Sequence, residues 1–426
     1  MLELKNIREN TELIKAGLKK RGYSQDQLHV IDEVITLDDE RKATQTLLDN
    51  ALSKLNKAAK EIGSLYKSGN IEEANKLKEE VSKLKANSGP LDEKLKSVSN
   101  DIRAKLFTIP NVPNSKVPAG LSEEDNEILK DWTGEMPKLH EGAQPHWELM
   151  EKYNLVDLKL GVKITGAGFP LFRGQGAKLQ RALINFFLDE AHAQGYEEIM
   201  PPLLVNEDSG IGTGSLPDKE GQMYYMEKDD LYLIPTAEVP VTNIVRDVIL
   251  KESDFPIKFT AHTPCFRREA GSYGADVKGL NRVHQFEKVE IVQIQHPDKS
   301  YETLEDMAAY VETLLSKLEL PYRILRLCGG DLTFASAMTY DFEVYSAAQG
   351  KWLEVSSVSN FETFQSNRMK CRYKDENGKS QLAHTLNGSA LALARIVASI
   401  LENHQTPEGI RIPEALRAYT RFDYIK

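Results

Sequence analysis

The sequence of 426 residues predicts an α+β protein in which a long antiparallel helical hairpin, a coiled coil, precedes an antiparallel β-sheet domain flanked by helices. Two observations support this prediction. Apolar residues in the first quarter of the chain recur at alternating steps of three and four, which is the spacing of a coiled-coil seam. In the remainder, apolar and polar residues alternate in several strand-like segments, and these segments do not alternate regularly with helical ones along the chain. This pattern favours an antiparallel sheet over a doubly wound parallel one.

The predicted hairpin consists of two apolar seams joined by a turn. The seams occupy residues 48–66 and 77–102, and the segment KSGN at 67–70 supplies the turn. The second helix would extend on the order of 50 Å at ~1.5 Å per residue. The segment SGP at 88–90 lies inside the second seam, and proline removes one helical hydrogen bond. We therefore expect a bend there.

Charge is distributed unevenly along the chain. The formal net charge is −10 and the pI is about 5.6, so the surface as a whole repels a polyanion and any binding of nucleic acid has to be local. Residues 41–105 nevertheless contain 14 lysines and arginines against 9 acidic residues. This basic excess has two interpretations: the solvated lysines common in coiled coils, or a salt-dependent contact with phosphates.

Composition also predicts the domain boundaries and the compartment. A proline-rich segment at 109–120 separates a helical arm at 1–108 from a sheet domain at 121–426.

The three cysteines are too few and too scattered for a disulfide framework, which indicates a reducing compartment. The first ten residues contain no apolar signal segment, and no stretch reaches the length of a membrane span. We expect a cytoplasmic protein without membrane contact.

The sheet domain contains segments of strand-like and of helical character. The predicted strands are 232–239, 259–269, 283–295, 322–328, 340–346 and 351–360, and the predicted helices are 177–193, 300–318 and 389–404. The apolar helix containing Arg395, read from 386 to 401, is expected to be central and buried.

The segment CFRREAGSYGADVKGLNRVHQFEKVEIVQI at 265–294 predicts a hairpin with a glycine-rich turn. Period-two spacing places a row of charged and aromatic side chains on one face: Arg267, Glu269, Arg282, His284, Phe286, Lys288 and Glu290. Guanidinium groups bind phosphate oxygens, a phenyl ring stacks on a purine, and a carboxylate accepts from an amino group. The face could therefore bind ATP, although an exposed hairpin could carry such charge for solubility, and Lys288 would suit any solvated strand. The sequence contains no GK[ST] loop and no G-x-G-x-x-G that opens a helix.

Two further segments fit the same site. Arg395 lies in an otherwise apolar run, where its guanidinium needs either a nucleotide phosphate or a carboxylate partner. Glu354 and Ser357 lie on a predicted strand, and their oxygen atoms suit a magnesium ion held jointly with phosphates. The segment LEVSS is nevertheless ordinary strand sequence when it is taken alone.

Over essentially its whole length the chain resembles the bacterial-type seryl-tRNA synthetases, which are class II aminoacyl-tRNA synthetases. The resemblance rests on the helical arm, on GYEEIMPPLL at 195–204 as motif 1, on FRREAGSYG…HQFEKVE as motif 2, and on GSALALAR ending at Arg395 as motif 3. The segment TAE at 236–238 and the motif 2 sequence are specific to the serine enzymes. The resemblance implies a large antiparallel sheet, a homodimer formed through motif 1, and serine activation followed by transfer to tRNA.

Site residues are implied by the same resemblance. Arg267 would contact the α-phosphate and, with Arg395, act in catalysis; Glu354 and Ser357 would hold Mg²⁺. The implied ATP site comprises Arg267, Arg268, Glu269, Arg282, Val283, Phe286, Glu354, Val355, Ser356, Ser357 and Arg395. The implied serine site comprises Thr236, Ala237, Glu238, Glu290 and Ser389. Simpler roles stay open: Thr236 could cap a helix, Glu290 could be a solvated strand residue, and Ser389 could be an N-cap.

The implied partners are ATP, L-serine, tRNA(Ser), and tRNA(Sec) where that tRNA exists, with the arm of one subunit guiding tRNA to the other. Three rival functions remain at this level: a catalytically silent paralogue, a ligase that charges a carrier protein, and a coiled-coil scaffold. The carrier-protein ligase would be expected to lack the long arm, and the scaffold accounts only for the first quarter of the chain.

Overall fold

A computed structural model describes residues 1–218, 221–269 and 278–426, apart from the side chain of Asn87. The glycine-rich turn predicted at 271–274 lies outside these residues. The chain forms two compact units. The helical unit comprises residues 2–19 and 23–110, and the sheet unit comprises Met1 with residues 20–22 and 111–426.

The helical unit is dominated by an antiparallel pair of long helices. Its helices are α1 Leu4–Glu9, α2 Thr11–Lys20, α3 Gln25–Lys67 and α4 Ile71–Leu106. A capping box starts α3, because Ser24 Oγ accepts from the backbone of Gln27 while the Gln27 side chain accepts from the backbone of Ser24. An ion pair of 2.8 Å between Lys94 and Glu40 joins the two long helices. The predicted hairpin and its turn are thus confirmed.

One detail of the hairpin differs from the sequence prediction, and one is not tested. The helix α3 begins at Gln25, well before the predicted seam, and its early turns bury Leu28, Ile31 and Val34. The helix α4 continues through Pro90, which lies inside it, and the bend expected there stays a prediction. Because α4 packs along α3, the helical backbone persists although proline removes one hydrogen bond.

The sheet unit is built around an eight-stranded sheet, in the strand order β1-β11-β12-β13-β16-β10-β9-β4. All neighbours in it are antiparallel except the parallel pair of β4 and β9. The strands are β1 Glu127–Lys130, β2 Val156–Asp157, β3 Leu171–Phe172, β4 Glu197–Glu198, β5 Leu204–Val205, β6 Tyr225–Met226, β7 Leu231–Leu233, β8 Ile249–Lys251, β9 Ile257–Phe266, β10 Gln285–Gln295, β11 Tyr322–Arg326, β12 Met338–Ser346, β13 Lys351–Glu362, β14 Arg372–Lys374, β15 Ser380–Leu382, β16 His384–Ala392, β17 Gln405–Thr406, β18 Gly409–Arg411 and β19 Tyr424–Ile425.

Helices cover one face of this sheet. The α-helices of the sheet unit are α5 His146–Lys152, α6 Leu158–Ile164, α7 Gly174–Ala193, α8 Glu207–Thr213, α9 Glu238–Thr242, α10 Ser300–Lys317, α11 Phe364–Met369, α12 Leu393–Asn403 and α13 Glu414–Thr420. Helices α7, α10 and α12 pack on the sheet, and their apolar residues form one core with Val289, Ile291 and Phe342. Lys288 and Glu290 alternate with these residues on β10 and so face the opposite side. No helix within the described ranges is long and apolar enough to cross a membrane.

Most predicted elements of the sheet unit are confirmed within a few residues of their ends, but two are wrong. The predicted strand at 232–239 ends at Leu233, because Pro235 has no N–H for a strand ladder and Thr236 Oγ1 accepts from the backbone of Glu238 at the start of α9. The predicted helix from 386 is a strand up to Ala392. Strand β16 lies between β13 and β10 and is buried on both faces, so its apolar run does not alternate.

Candidate active site

A cavity of about 1070 Å³ lies in the sheet unit. Strands β10, β13 and β16 contribute to it, together with the chain that follows β9 and the first turn of α12. The residues predicted from the sequence line this cavity, with the exception of Ala237 and Arg268. They are Thr236, Glu238, Arg267, Glu269, Arg282, Val283, Phe286, Glu290, Glu354, Val355, Ser356, Ser357, Ser389 and Arg395. Folding thus brings together groups that are up to 159 positions apart in sequence, from Thr236 to Arg395.

Arg267 and Phe286 form a pair at the end of the β9–β10 hairpin. The register pairs Phe286 with Cys265, so the residue two positions further along, Arg267, lies on the same face. The guanidinium carbon of Arg267 lies 5.3 Å from the centroid of the Phe286 ring, and its Nε donates to the carbonyl of Pro235 at 3.3 Å. These contacts orient a cation and an aromatic face side by side in the cavity wall.

Glu269 and Arg282 form an ion pair across the same hairpin. Arg282 Nη1 lies 3.2 Å from Oε2 of Glu269. The backbone of Glu269 has a φ of +48°, a conformation that residues other than glycine adopt infrequently. Such conformations concentrate at ligand sites.

Arg395 lies in the first turn of α12 and bonds to backbone carbonyl groups rather than to a close carboxylate. Its Nε donates to the carbonyl of Asn281 at 2.9 Å, and its Nη1 donates to the carbonyl of Glu354 at 2.6 Å. The nearest carboxylate oxygen, Oε2 of Glu354, is 3.9 Å away. A tight ion pair with a carboxylate of the described residues therefore does not account for this arginine.

Glu354 and Ser357 bring oxygen atoms together on β13. Ser357 Oγ lies 3.5 Å from Oε1 of Glu354, and the hydroxyl donates to the carboxylate of Asp341, its partner on β12. Burial, followed by the charge of Glu354, raises the pKa of Asp341 well above its ordinary value. The sequence did not reveal Asp341, because only the strand register places it beside Ser357.

This donor set fits a magnesium ion. Carboxylate and hydroxyl oxygens are hard ligands, and magnesium commonly uses one or two protein side chains together with phosphate oxygens. Within the described part of the chain, no group of three or more His, Cys, Asp or Glu side chains could hold a metal on its own. A cation bound by Glu354 and Ser357 would therefore depend on phosphates for its other ligands.

In the cavity wall, Lys288, Glu290 and Thr236 form a buried polar cluster. Thr236 Oγ1 donates to Oε2 of Glu290 at 3.0 Å and accepts from Nζ of Lys288 at 2.7 Å. Lys288 also forms an ion pair with Glu290. The reading of Lys288 as a solvated strand residue is thus wrong: Lys288 is 6% exposed and Glu290 is 2% exposed. The lysine offsets part of the buried negative charge.

Glu238 adds a second carboxylate to the cavity wall. Gln365 Nε2 donates to its Oε1 at 2.7 Å. Burial, and then the negative charge of Glu290, raise the pKa of Glu238 to about 7. Ser389 lies opposite Glu290 on the neighbouring strand β16, so it is not an N-cap. Asn387 on β16 also lines the cavity and was missed by the sequence prediction.

Comparisons with known proteins identify the family of the chain. Residues 1–113 match the seryl-tRNA synthetase N-terminal domain, and residues 223–404 match the tRNA synthetase class II core domain (G, H, P, S and T). The serine–tRNA ligase of Salinibacter ruber is 47% identical over 99% of this chain and 98% of its own length. That of Akkermansia muciniphila is 45% identical over 100% of this chain and 99% of its own. The chain belongs to the seryl-tRNA synthetase family.

Solved structures of seryl-tRNA synthetases share this fold. The seryl-tRNA synthetase of Pyrococcus horikoshii complexed with ATP has a TM-score of 0.92 and 35% identity, over 100% of this chain and 99% of its own. The cytoplasmic serine–tRNA ligase of Naegleria fowleri in complex with AMP has a TM-score of 0.88 and 26% identity, with the same coverage of both chains.

Two residues implied by the resemblance to seryl-tRNA synthetases do not line the cavity. Ala237 is fully buried in an apolar cluster with Val241 and Phe259. The guanidinium carbon of Arg268 lies 5.9 Å from the centroid of the Tyr224 ring. Their implied roles in the serine and ATP sites stay predictions.

Proposed function

We infer that this chain activates L-serine with ATP to form seryl-adenylate and diphosphate, and then transfers the seryl group to the 3′ end of tRNA(Ser). One observation carries the proposal. A single cavity contains the Arg267–Phe286 pair, which suits a nucleotide, and the Glu238, Glu290 and Thr236 cluster, which suits a small amino acid with a hydroxyl group.

The nucleotide is proposed to bind at the arginine-rich end. Phe286 stacks on adenine beside Val283, the Glu269 carboxylate accepts from the adenine amino group, and Arg267 binds the α-phosphate. Arg282 and Arg395 bind the outer phosphates. Support comes from the planar donor groups of these arginines, which match phosphate oxygens in pairs.

A magnesium ion is proposed to bind with the phosphates at Glu354 and Ser357. When bound, the ion neutralises negative charge on phosphate oxygens. Val355 and Ser356 lie between its two ligands on β13, and the Ser356 hydroxyl donates to the backbone carbonyl of Ser389 at 2.6 Å. That bond connects β13, which contains the proposed magnesium ligands, to β16, which contains Ser389 of the proposed serine site.

The first chemical step requires alignment and charge neutralisation. A carboxylate oxygen of serine attacks the α-phosphorus, the bond to the bridging oxygen of diphosphate breaks, and diphosphate leaves with that electron pair. The serine carboxylate is already ionised at neutral pH, so no side chain has to remove a proton. Arg267 and Arg395 stabilise the charge that develops on the phosphate oxygens. In the second step a tRNA ribose hydroxyl attacks the seryl carbonyl carbon, the bond from that carbon to the phosphate oxygen breaks, and AMP leaves with that electron pair as the hydroxyl proton is released.

Serine selection is assigned to the cluster at the other end. The Glu290 carboxylate accepts a hydrogen bond from the serine hydroxyl, and Thr236, Glu238 and Ser389 line the remaining wall. Ala237 contributes at most its backbone. Alanine leaves the buried Glu290 without this partner, whereas threonine has to be excluded by shape.

Larger-scale roles follow from the same assignment. The arm at 1–108 binds tRNA, and the segment 109–120 links it to the catalytic and dimerisation domain at 121–426. The arm of one subunit guides tRNA to the other subunit. Where tRNA(Sec) exists, it is a second substrate. Three apolar residues of motif 1, Met200, Leu203 and Leu204, are exposed, Met200 to 91%, and their exposure supports a homodimer formed through motif 1. Three unpaired cysteines support a cytoplasmic location.

A two-stage assay tests the proposal. Amino-acid-dependent exchange of diphosphate into ATP is measured with serine, threonine and alanine, and charging is then measured with unfractionated tRNA. We expect exchange with serine and charging of serine-accepting tRNA. Absence of exchange would favour a silent paralogue, and exchange without charging would favour a ligase for a carrier protein.

A further inference from the structure

A buried histidine–carboxylate pair lies outside the cavity. His146, the first residue of α5, and Glu402, near the end of α12, are both fully buried. Oε1 of Glu402 accepts from the backbone N–H of His146 at 3.0 Å and lies 2.7 Å from its Nδ1. Neither residue lines the cavity, so neither contacts a ligand bound there.

The other ring nitrogen of His146 fixes the tautomer and holds a loop. Nε2 accepts from the backbone N–H of Leu280 at 2.9 Å, so the ring proton lies on Nδ1 and is donated to Glu402. The chain passes tightly against the ring: a Cβ at Gly279, where φ is +68°, would lie 2.2 Å from Nε2. His146 therefore holds the segment that leads directly into Asn281 and Arg282.

A second connection reaches the same segment through Gln349. Its Nε2 donates to Oε1 of Glu402 at 3.1 Å, and its Oε1 accepts from Nδ2 of Asn281 at 2.8 Å. The backbone carbonyl of Asn281 in turn accepts from Nε of Arg395. Glu402 thus anchors residues 280–281 through two routes, and these residues position Arg282 by chain continuity and Arg395 by a hydrogen bond.

We propose that His146 is a positioning residue for the ATP site, acting through Leu280 and Asn281 on the two arginines assigned to the outer phosphates. The inference depends on the nucleotide site proposed above. Its physical basis is that guanidinium groups align a phosphate chain only when they are held in place before binding, and a misplacement of about 1 Å can cost on the order of 100-fold in rate.

Two substitutions of His146 separate its two hydrogen bonds. In His146→Asn the amide nitrogen takes the place of Nδ1 and keeps the bond to Glu402, but the acceptor for Leu280 is lost. In His146→Gln the amide oxygen takes the place of Nε2 and keeps the bond to Leu280, but the donor to Glu402 is lost. His404 provides a matched control, because it is also a buried histidine, its Nε2 bonds to the carbonyl of Leu318 at 3.0 Å, and it does not line the cavity.

The measurement is serine-dependent diphosphate exchange by the full-length chain, with KM for ATP and KM for serine determined separately, and Tm measured alongside. We expect His146→Asn to raise KM for ATP about tenfold and to leave KM for serine unchanged. His146→Gln should keep KM for ATP within about twofold of the parent value. His404→Asn should lower Tm without changing either KM.

Several outcomes would overturn the proposal. A purely structural role would lower Tm and the active fraction in both His146 variants while KM for ATP stays the same in both. If His146→Asn does not fold, Gly279→Ala replaces it: the added Cβ would lie 2.2 Å from Nε2 of His146 and displace the N–H of Leu280 from that acceptor. An unchanged KM for ATP in that variant counts against the proposal. Arg395→Ala tests the proposed nucleotide site separately from the role of His146. If this variant leaves KM for ATP unaltered, the proposed nucleotide site itself is wrong.

Discussion

The hydroxyl group of Thr236 donates a hydrogen bond to Oε2 of Glu290, with 3.0 Å between the two oxygens. Lys288 Nζ donates to the same hydroxyl, so the Thr236 proton is directed at the carboxylate. The lysine and the threonine hold Glu290 in one orientation inside a buried wall. A carboxylate held in this way can accept from a substrate hydroxyl without first reorganising.

Replacement of Glu290 tests this role in serine selection. We expect the parent chain to prefer serine over alanine by about 10⁴ in kcat/KM. Glu290→Gln retains the size of the side chain but is a weaker, neutral acceptor, so kcat/KM for serine should fall about 10- to 100-fold while that for alanine changes little. Diphosphate exchange with each amino acid measures both values. An equal fall for serine and alanine would mean that Glu290 supports the pocket without contacting the hydroxyl.

The raised pKa of Glu238 predicts a pH-dependent stability of the sheet unit. Its pKa is about 7 in the folded chain, against an ordinary value of 4.5, because burial and the charge of Glu290 disfavour its ionised form. The folded chain therefore binds this proton more tightly than the unfolded chain does. Its contribution to the free energy of unfolding is fully present below about pH 4.5 and is lost as pH rises through about 7.

Glu238→Gln isolates this contribution. The variant should show a smaller fall in the free energy of unfolding between pH 5 and pH 8 than the parent chain. Urea unfolding followed by tryptophan fluorescence measures it, since the three tryptophans, at 132, 147 and 352, all belong to the sheet unit. If the free energy of unfolding changes equally with pH in the two proteins, Glu238 is already ionised throughout this range and the prediction is wrong.

The sequence predicted those features that depend on a repeated local pattern. The hairpin of α3 and α4 follows from a seam that recurs along both helices, and β9 and β10 follow from alternation. Strand β16 was misassigned because a strand buried on both faces has no alternation, and its central position depends on neighbours distant in sequence. Local periodicity contains no information about those neighbours.

The candidate site was predictable to the extent that residue types alone indicate chemistry. Arginine, phenylalanine and glutamate on one hairpin face indicated a nucleotide, and this face exists as predicted for Arg267 and Phe286. The burial of Lys288 and the neighbour Asp341 were not predictable. Both depend on contacts that only the folded sheet creates, with Thr236 in one case and Ser357 in the other.

Arg267 is expected to be essential for adenylate formation. Arg267→Ala removes the group assigned to the α-phosphate and should abolish serine-dependent exchange in a folded protein. Arg267→Lys keeps the charge but lacks paired planar donors and the Nε–H that bonds to Pro235, so it should also lose at least about 100-fold in kcat. Unchanged far-ultraviolet circular dichroism provides the folding control. Near-normal exchange in either variant would remove Arg267 from the catalytic step.

Removal of the arm should separate the two reactions, because adenylate formation needs only the cavity of the sheet unit. Deletion of residues 30–106 is expected to leave serine-dependent exchange intact and to abolish tRNA charging. A second variant removes only the outer part of the arm and replaces residues 45–89 by a short Gly-Asn turn. Glu40 pairs with Lys94 across the two helices, and Thr44 and Pro90 each lie four residues beyond that pair, so the new turn joins Thr44 to Pro90. Proline is well suited to the first turn of a helix, which is where Pro90 lies in the shortened α4.

The shortened arm retains its base and so reports on tRNA contact rather than on folding. The carboxylate of Asp38 still accepts from Arg8, Arg41 and Lys42 in this variant, and the outer part of the arm, with its eight lysines, is absent. Charging should fall at every tRNA concentration tested, and the parent chain should show a loss of charging with added salt that the variant lacks. If exchange and charging are lost together in both deletions, the arm is a folding element. If charging survives the shortening, the eight lysines of the outer part are only solvated and do not contact tRNA.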